Sequence, residues 1–400
     1  MANEKRKAIL DAAELLFATK GFGPTTMSDI AKESGVAHEA SIYSQFKNKR
    51  DILFGIYGSH LQKASKSLNA HFQGMKEPGP KFRKAIWHYL EDMKENPNYA
   101  KVLMMAQREN PDFYASEHVQ HLETYISLVL GAIIAGQEDG TFRKDISPRL
   151  IRNMAMGASV HFAFYCTARD QYYDPNEISD QIYVLVSNAA RVETPFLKTN
   201  KKGFRGGRVE FRKSQILNTA TRIFANKGFS NATISEIAKQ ANLGDGTLYE
   251  YFENKKAILL GIAENHLQDL CLDKCDAAPF AKEEKDLRRL LWRWLWLIYS
   301  DEDFARILCL ELFRNIDFYS NPVYECLLGF LARVSETVQL GQTAGVFVEK
   351  VPLSIYSHMI TGTFDQYLIS QFLLNRPAPV ISKLSAMVDA LVRAIRVREV

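Results

Sequence analysis

Twice in this 400-residue chain a threonine stands three positions ahead of a carboxylate: Thr26 before Asp29, and Thr233 before Glu236. A hydroxyl at that spacing accepts a hydrogen bond from a free amide of a helix's first turn, and the acid reaches back to the cap. The pair is a capping box, or a near relative where Asp replaces Glu, and its chemistry is helix initiation rather than bond making. The helix that follows carries Ile30-Ala31 or Ile237-Ala238 inward and stops at Gly35 or Asn242, residue types able to take positive φ. A few residues later a third segment ends in Ile42-Tyr43-x-x-Phe46 or Leu248-Tyr249-x-Tyr251-Phe252, with Lys49 or Lys255 just beyond. Two short helices joined by a tight turn describe a helix-turn-helix. Its second helix would enter a major groove, its first residues reaching base edges while Lys49 or Lys255 meets phosphate.

The elements that position these residues are duplicated with them. A preceding helix carries Leu10, Ala13 and Phe17 on one face, matched by Leu217, Ala220 and Phe224, and closes at Lys20-Gly21 and Lys227-Gly228. The copies lie 207 residues apart up to Ile30 and Ile237, and 206 apart at Tyr43 and Tyr249, so one residue has been gained or lost between them. Further on the spacing is 205: Trp87 pairs with Trp292, Asn110-x-Asp112-Phe113-Tyr114 with Asn315-x-Asp317-Phe318-Tyr319, Gly136-Gln137-x-x-Gly140-x-Phe142 with Gly341-Gln342-x-x-Gly345-x-Phe347, and Met154-x-x-Gly157 with Met359-x-x-Gly362. A period this long means two whole units, not a solenoid.

In both copies the hydroxyl-acid-Ile-Ala run and the later Tyr-x-x-Phe or Tyr-x-Tyr-Phe element with its Asn-Lys ending closely resemble the signature of the TetR family of transcriptional repressors. The resemblance implies an all-α fold of two tandem TetR-like units, each a three-helix DNA-binding head followed by a helical ligand-binding and dimerisation body. The expected boundaries are 1–53 and 54–193 for the first head and body, 194–210 for a linker, and 211–259 and 260–400 for the second pair. It implies DNA contacts from Thr26, His38, Ser41, Tyr43, Gln45 and Lys49, and from Thr233, Asp245, Gly246, Thr247, Tyr249, Tyr251 and Lys255. The copies differ most where bases would be read, Ala37-His38-Glu39-Ala40-Ser41 against Gly244-Asp245-Gly246-Thr247. Glu39 would either accept from a cytosine amino group or repel phosphate. Unequal recognition helices imply unequal half-sites, hence an imperfectly palindromic operator; the alternative is a sensing or protein-interaction module whose first head has lost DNA contact.

The bodies show apolar-periodic stretches broken by Pro and Asn-Pro, with period-two alternation essentially absent, which is an all-α pattern. The resemblance places dimer helices at about 148–168 with 176–192 and about 352–375 with 378–397. It also implies a small-molecule effector, for which Trp87, Arg108, Phe113, Trp292, Trp296, Phe313 and Arg314 are the candidate contacts: aromatic walls with an arginine at the mouth for an anionic head group. The stretch Glu311-Leu312-Phe313-Arg314 with the Gly-Gln-x-x-Gly-x-Phe motif is similar to the branch that responds to fatty acyl-CoA, and that resemblance implies a fatty acyl-CoA or another apolar ligand as the expected effector. Core packing by the same aromatics is the competing account. Two bodies in one chain can pair with each other, the tether spanning at most about 65 Å, so a one-chain pseudo-dimer is expected, with a homodimer of fused chains as the competing assembly.

A hydrophobic share of 46% and a charged share of 24% fit globular units with real cores. The net charge of +4 is too small to argue for nucleic acid by itself. Its distribution is uneven: Lys198, Lys201, Lys202, Arg205, Arg208, Arg212 and Lys213 crowd a glycine-bearing stretch that reads as a flexible basic linker, tracking phosphate or merely solvated. Five cysteines without zinc spacing fit a reducing cytoplasm. The scattered histidines, of which only His118 and His121 lie close together, supply no catalytic constellation. No cofactor or metal is expected, and no enzyme. No apolar stretch is expected to approach the roughly 18 residues of a membrane span.

Overall fold

The computed structural model describes residues 2–36, 38–106, 111–114, 116–190, 211–271, 283–373 and 381–397. The expected linker 194–210 lies outside them. The first copy runs α1 (Ala2–Lys20), α2 (Met27–Glu33), α3 (Ala40–Tyr43), α4 (Lys49–Phe72), α5 (Pro78–Glu95), α6 (Pro97–Ala106), α7 (Pro111–Tyr114), α8 (Val119–Glu138), α9 (Pro148–Arg169) and α10 (Pro175–Ala190). The second runs α11 (Phe211–Lys227), α12 (Ile234–Gln240), α13 (Asp245–Tyr251), α14 (Lys255–Cys271), α15 (Glu283–Ser300), α16 (Glu302–Leu310), two 3-10 turns (Leu312–Arg314 and Ile316–Phe318), α17 (Pro322–Thr343), α18 (Leu353–Leu373) and α19 (Ile381–Arg393). The fold is all-α; among the described residues the one β pairing is an isolated bridge between Phe347 and Arg396. The head-to-body boundaries expected after residues 53 and 259 fall inside the unbroken helices α4 and α14.

Compactness crosses the copy boundary. One unit holds Met1–Ala190 with Arg314–Tyr319 and Lys350–Ile395; the other holds Arg191–Phe313, Ser320–Glu349 and Arg396–Val400. The first unit therefore joins the whole first copy to α18 and α19, with α18 laid along α9 and α19 against α10. Gly157 of α9 and Gly362 of α18 meet at the crossing, where a Cβ built on either would overlap the other's backbone. That contact explains the repeated Met-x-x-Gly motif: Met154 and Met359 are buried beside glycines that must stay bare. In the second unit α11 packs on α14 and α16, and α17 on α14 and α15.

The repeated Gly-Gln-x-x-Gly-x-Phe motif is also structural. Gln137 Nε2 donates to the carbonyls of Arg143 and Ile146 at 2.8 and 2.7 Å, and Gln342 Nε2 to those of Val348 and Glu349 at 3.2 and 2.8 Å. Gly140 and Gly345 take φ of +86° and +71°, and a Cβ on Gly136 or Gly341 would overlap the buried ring of Phe142 or Phe347. The Gly-Gln-x-x-Gly-x-Phe motif is thus the corner that ends α8 and α17. One sequence expectation is corrected here: α8 is long and apolar enough to cross a membrane by length and composition, with a mean hydropathy of 1.3. It packs against α4, α5 and α9 within its unit.

On α5, burial pushes the Asp92 carboxyl up to about 6, with Glu95 adding to it and His60, Lys63 and the Asn96 amide opposing. An acid with a raised folded pKa stabilises the native state below its unfolded value, and that contribution is lost as pH rises through about 6. Asp92→Asn is therefore expected to raise stability at pH 8 by about 3 kcal/mol, the gap closing by pH 4. Coincident melting curves of the two proteins at pH 8 would contradict this account.

Candidate nucleic-acid interface

Each head is built around a buried stripe, Ile9, Ala13 and Phe17 on α1 and Ile216, Ala220 and Phe224 on α11. Phe17 meets Phe22 edge-on at 5.1 Å and Phe224 meets Phe229 at 5.3 Å, fixing the chain as it leaves the helix. The first capping box is complete: Asp29 N–H donates to Thr26 Oγ1 at 3.1 Å and Thr26 N–H to Asp29 Oδ2 at 2.9 Å. The Lys20 hydrogen bond, then those from Thr26, hold the Asp29 carboxyl well below the usual carboxylate range. In the second head Glu236 N–H donates to Thr233 Oγ1 at 3.2 Å, and the Glu236 carboxylate binds Lys227. Gly35 and Asn242 take φ of +68° and +55°, so both turns use the left-handed region as their sequences require.

The helix after the turn is anchored by one apolar residue and presents polar ones. Ile42 and Leu248 are fully buried, while Tyr43 and Tyr249 are each 53% exposed. Thr26, His38, Thr233, Asp245, Gly246 and Tyr251 are exposed; Ser41, Gln45 and Thr247 are half-buried. The two helices are unequal. α13 has seven residues, entered through an extended Gly244, whereas α3 has four, entered through Glu39 in a helical conformation with no side-chain cap bond. Arg6 of α1 braces the shorter one, donating to the Gln45 carbonyl at 3.0 Å with its guanidinium 4.2 Å from the Phe46 ring.

Lys49 and Lys255, the residues expected at phosphate, turn their ammonium groups to backbone carbonyls of their own heads. Lys49 Nζ donates to the carbonyls of Phe22, Gly23 and Thr25 at 2.6, 3.0 and 2.7 Å, and Lys255 Nζ to those of Phe229, Ser230 and Ala232 at 2.7, 3.3 and 2.9 Å. An ammonium has three donors, and here all three close the loop between the first two helices of the head. Lys255→Ala is accordingly expected to destabilise the head by about 1–3 kcal/mol by stranding those carbonyls, while the salt dependence of DNA binding keeps its slope. A slope shallower by about one would restore the phosphate contact.

The candidate effector residues do not converge. Trp87 on α5 is half-buried, with Lys84 Nζ 3.3 Å from its ring centroid and His71 edge-on at 5.6 Å. Phe113 packs instead against Phe54 and Tyr57 at 5.4 and 4.8 Å. Tyr57 and His71 are separated along α4 by about 21 Å at 1.5 Å per residue. Arg108 lies outside the described residues. In the second copy Trp292 is half-buried, Trp296 is 56% exposed and tilts on Tyr299, and Phe313 is buried. Arg314 is not at a mouth: its side chain is 2% exposed, its guanidinium binds Asp365 Oδ2 at 2.7 Å and lies 4.9 Å from the Phe164 ring.

Sequence reasoning missed the residues that tie heads to bodies. His60 of α4 stacks on Tyr99 at 3.7 Å and reaches Glu14 of α1 at 2.8 Å. Its counterpart His266 stacks on Phe304 at 4.0 Å but reaches Asp301 at 3.1 Å. The second head is held elsewhere, Phe229 N–H donating to Glu311 Oε1 at 2.7 Å. The available signal was that these are the histidines recurring at the copy spacing.

The family described as "Bacterial regulatory proteins, tetR family" matches residues 9–56 and 216–262, and that described as "YsiA-like protein, C-terminal region" matches 58–189. The fatty acid metabolism regulator protein of Bacillus subtilis is 25% identical over 182 residues, covering 45% of this chain and 94% of its own length. The transcriptional repressor NicS of Pseudomonas putida is 24% identical over 188 residues, 44% of this chain and 87% of its own. The crystal structure of the regulator FadR from Bacillus subtilis in complex with stearoyl-CoA aligns with a TM-score of 0.42 at 24% identity, covering 45% of this chain and 97% of that one.

Proposed function

Because the chain belongs to the TetR family of bacterial regulatory proteins, and is a DNA-binding transcriptional regulator rather than an enzyme, we propose that it is a repressor whose two fused copies pair within one chain and grip a single, imperfectly palindromic operator. A two-fold pair of recognition helices suits half-sites one helical turn apart, roughly 34–36 Å. The observation that carries this reading is the pair of tyrosines, Tyr43 and Tyr249, equally exposed at equivalent positions behind a buried anchor. The packing of α9 on α18 supports pairing within the chain. The proposal includes the head, body and linker boundaries given above and the DNA-contact residues Thr26, His38, Ser41, Gln45, Thr233, Asp245, Gly246, Thr247 and Tyr251 beside the two tyrosines. It places the protein in the bacterial cytoplasm, on the nucleoid.

The effector belongs to the same proposal. A relative named for fatty acid metabolism and a body matched over 58–189 favour a long-chain acyl-CoA or another apolar ligand, taken by the first copy. Bound effector lowers operator affinity by a coupling of about 1–3 kcal/mol. Titrating the full chain onto its upstream DNA by fluorescence anisotropy, with and without a long-chain acyl-CoA, tests both parts. One chain per duplex, released by acyl-CoA but not by free coenzyme A, is expected; two chains per duplex would refute the pseudo-dimer, and indifference to acyl-CoA would refute the effector. The four-residue α3 favours one second reading, in which the first head no longer contacts DNA and serves sensing or protein interaction.

A further inference from the structure

The seam between α9 and α18, inside the first compact unit, holds a charged cluster drawn unequally from the two copies. His161 Nε2 lies 2.8 Å from Asp365 Oδ2, and Arg314 donates to that same oxygen at 2.7 Å. Thr361 Oγ1 is 3.3 Å from the other ring nitrogen of His161. All four residues are at most 5% exposed. His161 and Phe164, whose ring lies under Arg314, come from the first copy; Asp365, Arg314 and Thr361 come from the second.

At the copy spacing of 205, Asp365 corresponds to Val160, His161 to Gln366 and Phe164 to Ile369, whereas the crossing glycines Gly157 and Gly362 are the same in both. The backbone crossing is thus duplicated and the polar lock is not. Pairing two first copies about this crossing would bury an imidazole against valine. Pairing two second copies would set Asp365 against glutamine and remove both the imidazole and the aromatic face beneath Arg314. Taking a partner from a buried charge costs far more than the pair gains, which is why such groups can select partners.

The geometry points to a pairing surface specific for the unlike copy: the His161–Asp365–Arg314 cluster admits a first copy against a second and rejects like against like. This rests on the pseudo-dimer reading and adds the residues that decide it. The test replaces each residue in the full chain by its counterpart, His161→Gln and Asp365→Val, singly and together, and follows unfolding and sedimentation mass. Each single change raises the unfolding equilibrium constant, and the double change is no worse than the more damaging single, a coupling of roughly fivefold or more. The wild type sediments as one chain of 45.5 kDa, and Asp365→Val forms two-chain species at micromolar concentration as like copies begin to pair. Where Asp365→Val fails to fold, the near-isosteric Asp365→Asn serves for the mass measurement. Additive effects, or mass distributions unchanged in every variant, overturn the proposal. A two-chain wild type with the coupling intact upholds unlike pairing, now between chains, and overturns the one-chain reading alone.

Discussion

Gly157→Ala is expected to destabilise the first compact unit by about 2–4 kcal/mol, although the same change inside an ordinary helix stabilises by about 1 kcal/mol. The opposite sign is the diagnostic. Gly157 sits within α9, and its added Cβ meets the backbone of Gly362 and Thr363 rather than a side chain that can change rotamer. The helices must separate, loosening the buried Met154 and Met359 and opening the seam that holds Asp365. Gly362→Ala is expected to behave alike, since its Cβ meets the Gly157 carbonyl. Calorimetric unfolding of both variants reads the effect. A variant that melts higher than the wild type would show that the two helices do not cross at these glycines.

The second large effect is expected at the tyrosines. Tyr249→Ala removes a half-exposed phenol that leaves the buried anchor Leu248 in place, so unfolding shifts by no more than about 0.5 kcal/mol while operator affinity drops roughly 10- to 100-fold, about 1.4–3 kcal/mol. Tyr43→Ala is expected to cost less, because α3 is four residues long and α13 seven. Anisotropy titrations of the two variants on one operator separate the cases. Tyr43→Ala at wild-type affinity would support a first head without DNA contact; Tyr249→Ala at wild-type affinity would remove the second head as a reader.

The heads were legible in the sequence because their determinants are short-ranged. A cap reaches three residues, a left-handed stop is set by one residue's own sterics, and a helix face by steps of three and four. Thr26, Thr233, Gly35, Asn242 and the buried faces of α1 and α11 follow from these alone. Lys49 and Lys255 show where such reasoning stops. A lysine after a recognition helix suggests phosphate, yet its acceptors lie 24 to 27 and 23 to 26 residues back, across a loop whose closure the sequence does not announce.

The body was legible as helices and as a duplication, not as a site. Motifs that suggested a ligand, the Gly-Gln-x-x-Gly-x-Phe corner and Arg314, prove to be a helix-ending turn and a buried ion pair. Repetition preserves what the scaffold needs, so repeated residues point first to corners and crossings.

The amino-acid sequence by itself determined that the chain is a doubled all-α protein with two helix-turn-helix heads, because periodicity, capping and spacing are written in neighbouring residues. The tertiary structure alone decided that α9 lies along α18 and that His161 meets Asp365, 204 positions away. Packing chooses partners by shape and burial, and in an apolar helix one valine, histidine or aspartate does not say what it will face until the opposing helix is in place.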